Sequence, residues 1–251
     1  PGVPFTLRES SQRSCEAALD SPAPLAMTEC VLPRDQALAR VEPDLLEVAV
    51  HYQLANKKID ELYADKAFYL VRDYLEEVFA TFLKRIDRPH LQSHFDWFEP
   101  YQRASMIGCM ELKPDCHSTL TRLKDMGLYL SAVSNADENH LIPLVERGEL
   151  HRWLTHWTSS EAARSCKPDR RFFEIALAKS GLAANQILFV GDSLEQDIQG
   201  AHSMGMKTAL ITELDGPAPM HVGRDTPEPD FQISTLSELP GIVEKLNRHT
   251  A

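Results

Sequence analysis

Two hydrophobic periods follow one another along the chain. From residue 45 to 85, LLEVAVHYQLANKKIDELYADKAFYLVRDYLEEVFATFLKR repeats apolar residues at intervals of three and four, with charges between them. That is the spacing of helices that each bury one face, and it predicts two to four packed helices within residues 35–110. The next stretch, RPHLQSHFDWFEPYQR, gathers Phe95, Trp97, Phe98 and Tyr101. Beyond Lys113 short apolar runs alternate with amphipathic ones. LYLSAVSN, WLTHWTSS, QILFVGD and KTALIT have the length of strands, and QILFVGD is apolar almost throughout, as a strand covered on both faces must be. Between them KPDCHSTLTRLKDMG, ENHLIPLVERGEL, RRFFEIALAKSG and LEQDIQGAHSMG read as helices. Asp115 is the expected N-cap of the first, and Gly127 and Gly181 are expected helix stops. FQISTLSELPGIVEKLN adds a last strand and helix. This alternation predicts an α/β fold with a doubly wound parallel sheet, whose ligands bind at the carboxyl ends of the strands. Residues 1–34 show no period and carry Pro1, Pro4, Pro22, Pro24 and Pro33, so they are expected to be irregular.

Composition narrows the partners more than the fold. The 251 residues are enough for one large domain or for a core with an inserted unit. The net charge of −11 argues against nucleic acid and anionic membrane as partners, which need clustered positive charge. It leaves room for a small anionic substrate held by a few local cations. The cysteines are five and form no CxxC pair, which fits a reduced, cytoplasmic protein without a zinc site or disulfide framework. No apolar run reaches the length of a membrane span, and no basic-then-apolar leader opens the chain.

The candidate chemistry lies at the strand ends. LYLSAVSN closes in Ser134 and Asn135; Lys167 stands in the loop SCKPD; QILFVGD closes in Asp192, with Asp197 five positions on in GDSLEQD. A hydroxyl with neighbouring backbone N–H groups can hold phosphate oxygens. A lysine can neutralise charge on a transferred group, and carboxylates hold Mg²⁺, a hard cation that takes oxygen ligands. Each residue also has a plainer reading: Ser134 as a helix cap, Lys167 as a solvated loop residue, Asp197 on an exposed helix face. The three together, in this order on alternating strands and helices, point to phosphoryl transfer.

From Lys113 to Leu236 these residues resemble the haloacid dehalogenase (HAD) superfamily. AVSNAD looks like the family's second motif, CKPDRRFF like its third, and LFVGDSLEQDIQGAHSMGM like the GDxxxxD form of its fourth. The resemblance implies a HAD-like Rossmannoid core over 111–251 and a helical C1-type cap over 35–110 that closes on the site and excludes water. Residues 1–34 would supply the first core strand. It further implies a hydrolase acting on a small phosphorylated metabolite. Ser134 and Asn135 would hold the phosphoryl group and Lys167 would be the catalytic lysine. Asp192 would ligate Mg²⁺, and Asp197 would support the metal or Lys167. The family also contains metal-free 2-haloacid dehalogenases, which usually carry an Asn where this chain has Gly191 or Asp192; an intact GDxxxxD favours the phosphatase side.

One part of the family pattern is not in the sequence. The first motif, DxDx[TV], supplies the nucleophilic Asp and a second Asp as general acid/base. Residues 1–35 contain Asp20 and Asp35, and neither ends an apolar strand or has an Asp two places on. Laying Phe5–Ser10 over the motif puts Thr6 and Arg8 at the two carboxylate positions. The sequence therefore leaves a second reading, a catalytically inactive binding or regulatory protein on the same fold. Among lesser candidates, His90 and His94 are four apart and could share a helix face toward a metal, although Pro89 and the aromatic surroundings favour packing. The Phe95–Tyr101 aromatics could line a substrate pocket but are expected to pack cap against core. Cys166 beside Lys167 is expected to be passive.

Overall fold

The computed structural model describes residues 5–7, 45–212 and 226–249. The positions of Arg8, Asp20 and Asp35 lie outside these residues. The chain divides into two compact units, one of residues 1–10 and 111–251 and the other of residues 11–110.

The first unit is built on six parallel strands: β1 (Phe5–Leu7), β2 (Leu130–Ser134), β3 (His156–Ser159), β4 (Leu188–Gly191), β5 (Lys207–Ile211) and β6 (Phe231–Ile233). Their order across the sheet is β3-β2-β1-β4-β5-β6. The irregular segment expected at the N-terminus thus contains a strand, and that strand is the centre of the sheet. Phe5 pairs with Leu130 on one side and Leu188 on the other. Three residues between prolines and turn formers are too short for an alternating pattern to show. The chain order runs to one side of β1 and then to the other, so the topological switch point lies where the ends of β2 and β4 flank β1.

Both faces of the sheet are covered. Leu130 and Ala132 of β2 and Leu188 and Val190 of β4 lie in one buried cluster. Helices α4 (Cys116–Asp125), α5 (Glu138–Arg147) and α9 (Leu239–His249) contribute Leu120, Leu123, Leu141, Val145, Ile242 and Val243 to it. Alternate residues Val133 and Phe189 point to the opposite face and join Phe172 and Phe173 of α7 (Arg170–Ser180). This two-sided burial explains why the β4 run lacks a polar alternation. α7 ends at Gly181, with φ 68° and its N–H on the Leu177 carbonyl at 3.0 Å, the left-handed stop expected of a glycine there.

Several boundaries differ from expectation. Asp115 makes no side-chain cap to α4. Its carboxylate instead accepts from the Ser237 N–H at 2.8 Å, tying α4 to the turn that precedes α9. The helix expected over 138–150 ends at Arg147, and Glu149 (φ 51°) turns the chain into a short 3₁₀ segment, Leu150–Arg152. The helix expected over 194–205 is a π-helical turn, Leu194–Gln199, followed by α8 (Gly200–Ser203). Short α6 (Ser160–Ala163) follows β3 directly and is capped by the Ser159 hydroxyl, which accepts from the Ala162 N–H. At the far edge Asp230 accepts from Lys207 Nζ at 2.6 Å and from the Thr208 N–H at 2.9 Å. Partial burial alone would raise its pKa, but these bonds outweigh burial and hold it below the usual carboxylate value.

The second unit contains α1 (Leu45–Tyr63), α2 (Val71–Arg85) and α3 (Gln92–Cys109). Its core is aromatic. Phe79 and Phe98 stack at 4.4 Å with planes 8° apart, and Phe82 and Phe95 lie in the same cluster beside aliphatic residues such as Ile59, Leu75 and Val78. Phe95 and Phe98 therefore serve this unit's own core. Trp97 and Tyr101, one turn apart, stack on each other at 5.5 Å and remain exposed. α3 begins at Gln92, so His90 precedes it and does not share a helix face with His94. Among the described residues no helix is long and apolar enough to cross a membrane.

Candidate active site

β2 closes on Ser134, and Asn135 follows; both are buried. Ser134 is not a helix cap, because α5 is preceded by Asp137 at its N-cap position. Lys167 is not a solvated loop residue, because its side chain has no exposed surface. Its ammonium donates to Asp197 Oδ1 at 2.7 Å and to the Val133 carbonyl at 3.4 Å, with the Phe189 ring 5.8 Å away. Asp197 does not sit on an exposed helix face either: its side chain is equally buried, and its second oxygen accepts from the Ser193 N–H at 3.1 Å. A carboxylate and an ammonium withdrawn from water require each other, since either alone would carry a large desolvation cost.

The turn after β4 is shaped for this pair. Gly191 is the last strand residue, and a Cβ there would collide with Cβ and Cγ of Asp197. The Ser193 hydroxyl accepts from the Gln196 N–H at 3.1 Å and starts the π-helical turn that brings Asp197 back over the strand end. Gly191→Ala is expected to displace Asp197 and to cost about 1–3 kcal/mol, the range for overpacking a close-fitted interior. Denaturant unfolding checks it; an unchanged midpoint would mean that Asp197 has room to move away.

Asn135 links the three segments. Its Oδ1 accepts from the Lys167 N–H at 2.7 Å, and its Nδ2 donates to the Lys167 carbonyl at 3.0 Å and to Gln196 Oε1 at 3.3 Å. The structure thus joins Asn135, Lys167 and Asp197 by direct bonds. Asp192 reaches them through the turn it opens, and Ser134 through the adjacent residue. Gln196 was not singled out in the sequence; its only signal there is its place inside GDSLEQD.

Mg²⁺ binds through one or two carboxylates, with waters and substrate phosphate completing its shell. Asp192, half-buried at the end of β4, is such a donor. Asp197 has both oxygens on protein donors, and of its two expected roles the one its bonds carry is support of Lys167. Among the described residues no group of three or more His, Cys, Asp and Glu side chains could hold a metal ion. Asp192, an oxygen donor of the kind Mg²⁺ takes, is the residue that would hold it.

A parallel sheet of this order with side chains converging at its switch point, and a helical unit inserted after its first strand, has the architecture of the HAD fold. The family model for haloacid dehalogenase-like hydrolases matches residues 42–211, and the chain belongs to that family. A ribulose-1,5-bisphosphate 5-phosphatase of Halopiger xanaduensis is 30% identical over 137 residues, 53% of this chain and 57% of that protein. An (S)-2-haloacid dehalogenase 4A of Burkholderia cepacia is 28% identical over 137 residues, 53% of this chain and 55% of that protein. The chain spans little more than half the length of these curated relatives. Among solved structures, the HAD-hydrolase YfnB of Bacillus subtilis, bound to magnesium, superposes with a TM-score of 0.70 over 96% of each chain at 18% identity, a likeness of fold.

Proposed function

We propose that this chain is a phosphatase-type HAD hydrolase acting on a small phosphorylated metabolite. The observation that carries the reading is the fully buried Lys167–Asp197 pair joined to the ends of β2 and β4, where Ser134 and Asp192 stand. In this reading Ser134 and nearby backbone N–H groups hold phosphate oxygens. Lys167, fixed by Asp197, contributes positive charge beneath them. Asp192 holds Mg²⁺, which when bound would offset the charge of the phosphoryl group. The helical unit would act as the cap that selects substrate. Asp192 in place of an amide weighs against a 2-haloacid dehalogenase, the activity that the name of the Burkholderia cepacia relative gives.

A specific observation favours a second reading, an inactive binding protein on the same fold. The sequence has no Asp-x-Asp after its first strand. Thr6 pairs with Ser131 and Phe189, three residues short of Ser134 and of Asp192, so it does not stand level with the two strand ends where a nucleophile is needed.

Hydrolysis of p-nitrophenyl phosphate with Mg²⁺ and with EDTA, beside Asp192→Ala, separates the two. Turnover that needs Mg²⁺ and disappears in the variant is the expected result. A folded protein with no turnover under either condition would overturn the enzyme reading.

A further inference from the structure

We propose that Asn135 is a positioning residue: its side-chain amide clamps the backbone of Lys167 and so sets where the Lys167 ammonium stands. The inference rests on the same site as the proposed function, and gives the Asn135 side chain a part other than phosphoryl contact. A phosphoryl contact by the Asn135 side chain would require one of its N–H groups aimed at the ligand; its backbone N–H is a separate donor. In the structure the amide oxygen takes the Lys167 N–H at 2.7 Å, and the amide nitrogen gives its two donors to the Lys167 carbonyl at 3.0 Å and Gln196 Oε1 at 3.3 Å. The NH₂ group has two hydrogens, and both are accounted for.

One side chain thus satisfies both backbone groups of one residue, as a neighbouring strand would. Lys167 needs this because it is buried in a loop between α6 and α7, where no strand pairs with it. An unpaired buried N–H or C=O is costly. The clamp also fixes direction. With its N–H and C=O both held, the Lys167 backbone cannot rotate about the loop, and the side chain is aimed at Asp197 Oδ1 and the Val133 carbonyl. The third bond, to Gln196, ties the clamp to the same π-helical turn that carries Asp197. Asn135 therefore holds the lysine's backbone and braces the turn of its counter-ion from a single point at the end of β2. The residue type matters: an aspartate would set a carboxylate against the Lys167 carbonyl, and an alanine would remove both the acceptor of the Lys167 N–H and the donor to its carbonyl.

Amine labelling tests this without any need for turnover. The full chain, Asn135→Ala and Asn135→Asp are reacted under native conditions with an amine-acylating reagent, and each lysine is quantified by mass spectrometry. In the unsubstituted protein Lys167 should be among the slowest lysines, being buried and paired. Asn135→Ala should raise labelling of Lys167 at least about tenfold, an opening free energy lower by about 1.4 kcal/mol, with the surface lysines unchanged. Asn135→Asp, which keeps an acceptor for the Lys167 N–H and loses both donors, should raise it as well and serves where the alanine variant does not fold. Binding of orthovanadate to the same proteins gives the second readout. Protection of Lys167 unchanged in a folded variant, with vanadate binding alone lost, would overturn the proposal in favour of direct phosphate contact. Equal loss of protection at all lysines would overturn it in favour of a general structural role. If the chain hydrolyses no phosphate ester, the labelling result still stands or falls by itself.

Discussion

Asp197→Ala should destabilise the protein by about 3–5 kcal/mol, the usual cost of leaving one member of a buried ion pair without its partner. Both side chains are fully enclosed, with Nζ and Oδ1 2.7 Å apart. Removing the carboxylate takes away the negative charge that faces the Lys167 ammonium, and neither the Val133 carbonyl at 3.4 Å nor the face of Phe189 at 5.8 Å replaces it. It also leaves the Ser193 N–H without its acceptor. The control is the double variant Lys167→Met with Asp197→Leu. Exchange of a whole buried pair for apolar residues of similar volume is often neutral or stabilising, so the double variant should recover most of the stability lost by the single one. Urea unfolding of both, at equal slope, decides the matter. A loss below about 1 kcal/mol for Asp197→Ala would show that the lysine sheds its proton or reaches water when its partner is gone. The expected pattern would mean that the pair is costly to break and dispensable as a pair for folding, as suits groups kept for chemistry.

The second large effect is expected far from any charge. Phe173 lies wholly buried between α7 and the sheet, 5.4 Å from the Phe189 ring and 5.9 Å from Phe172 between centroids. Gly200 meets it from the other side: a Cβ at that glycine would collide with Cε2 and Cζ of the ring. The ring is thus packed against backbone, which cannot move in to fill a hole. Phe173→Ala should cost about 3–5 kcal/mol, the upper range for large-to-small core changes because the site cannot collapse. Thermal and denaturant midpoints measure it. A cost near 1 kcal/mol would show that α8 closes onto the vacated space.

How much of this the sequence shows depends on the length of each signal. QILFVGD and LYLSAVSN are long enough, and apolar enough, to announce buried parallel strands, and the helices between them carry clear faces; the α/β class and the helical insertion follow. Ser134 and Asp192 could be placed at strand ends because each sits at the boundary of such a run, with Asp197 five positions on; Lys167 was marked only by its loop, SCKPD. β1 could not, since three residues hold barely one alternation. The partner of Asn135 was also out of reach: its bonds go to the backbone of Lys167, and backbone groups have no letter in a sequence. The same holds for Asp115, whose position fits a helix cap but whose carboxylate finds the Ser237 amide 2.8 Å away. The π-helical turn arises because Asp197 must return to Lys167 within five residues of Asp192, a demand of the fold and not of local propensity.

The place of β1 in the sheet has a consequence for how the molecule comes together. β2 and β4 each pair with β1 and not with one another, so the strands β3-β2 and β4-β5-β6 are two separate ribbons until residues 5–7 slide between them. Their partners, Leu130 and Leu188, lie far along the chain from Phe5. Seating this wedge therefore closes a long loop on each side. Such distant pairing slows folding, because the ends of a long loop must meet before any reward is gained. Until then each ribbon carries an open inner border of unpaired N–H and C=O groups, a template that any extended peptide can occupy in place of residues 5–7.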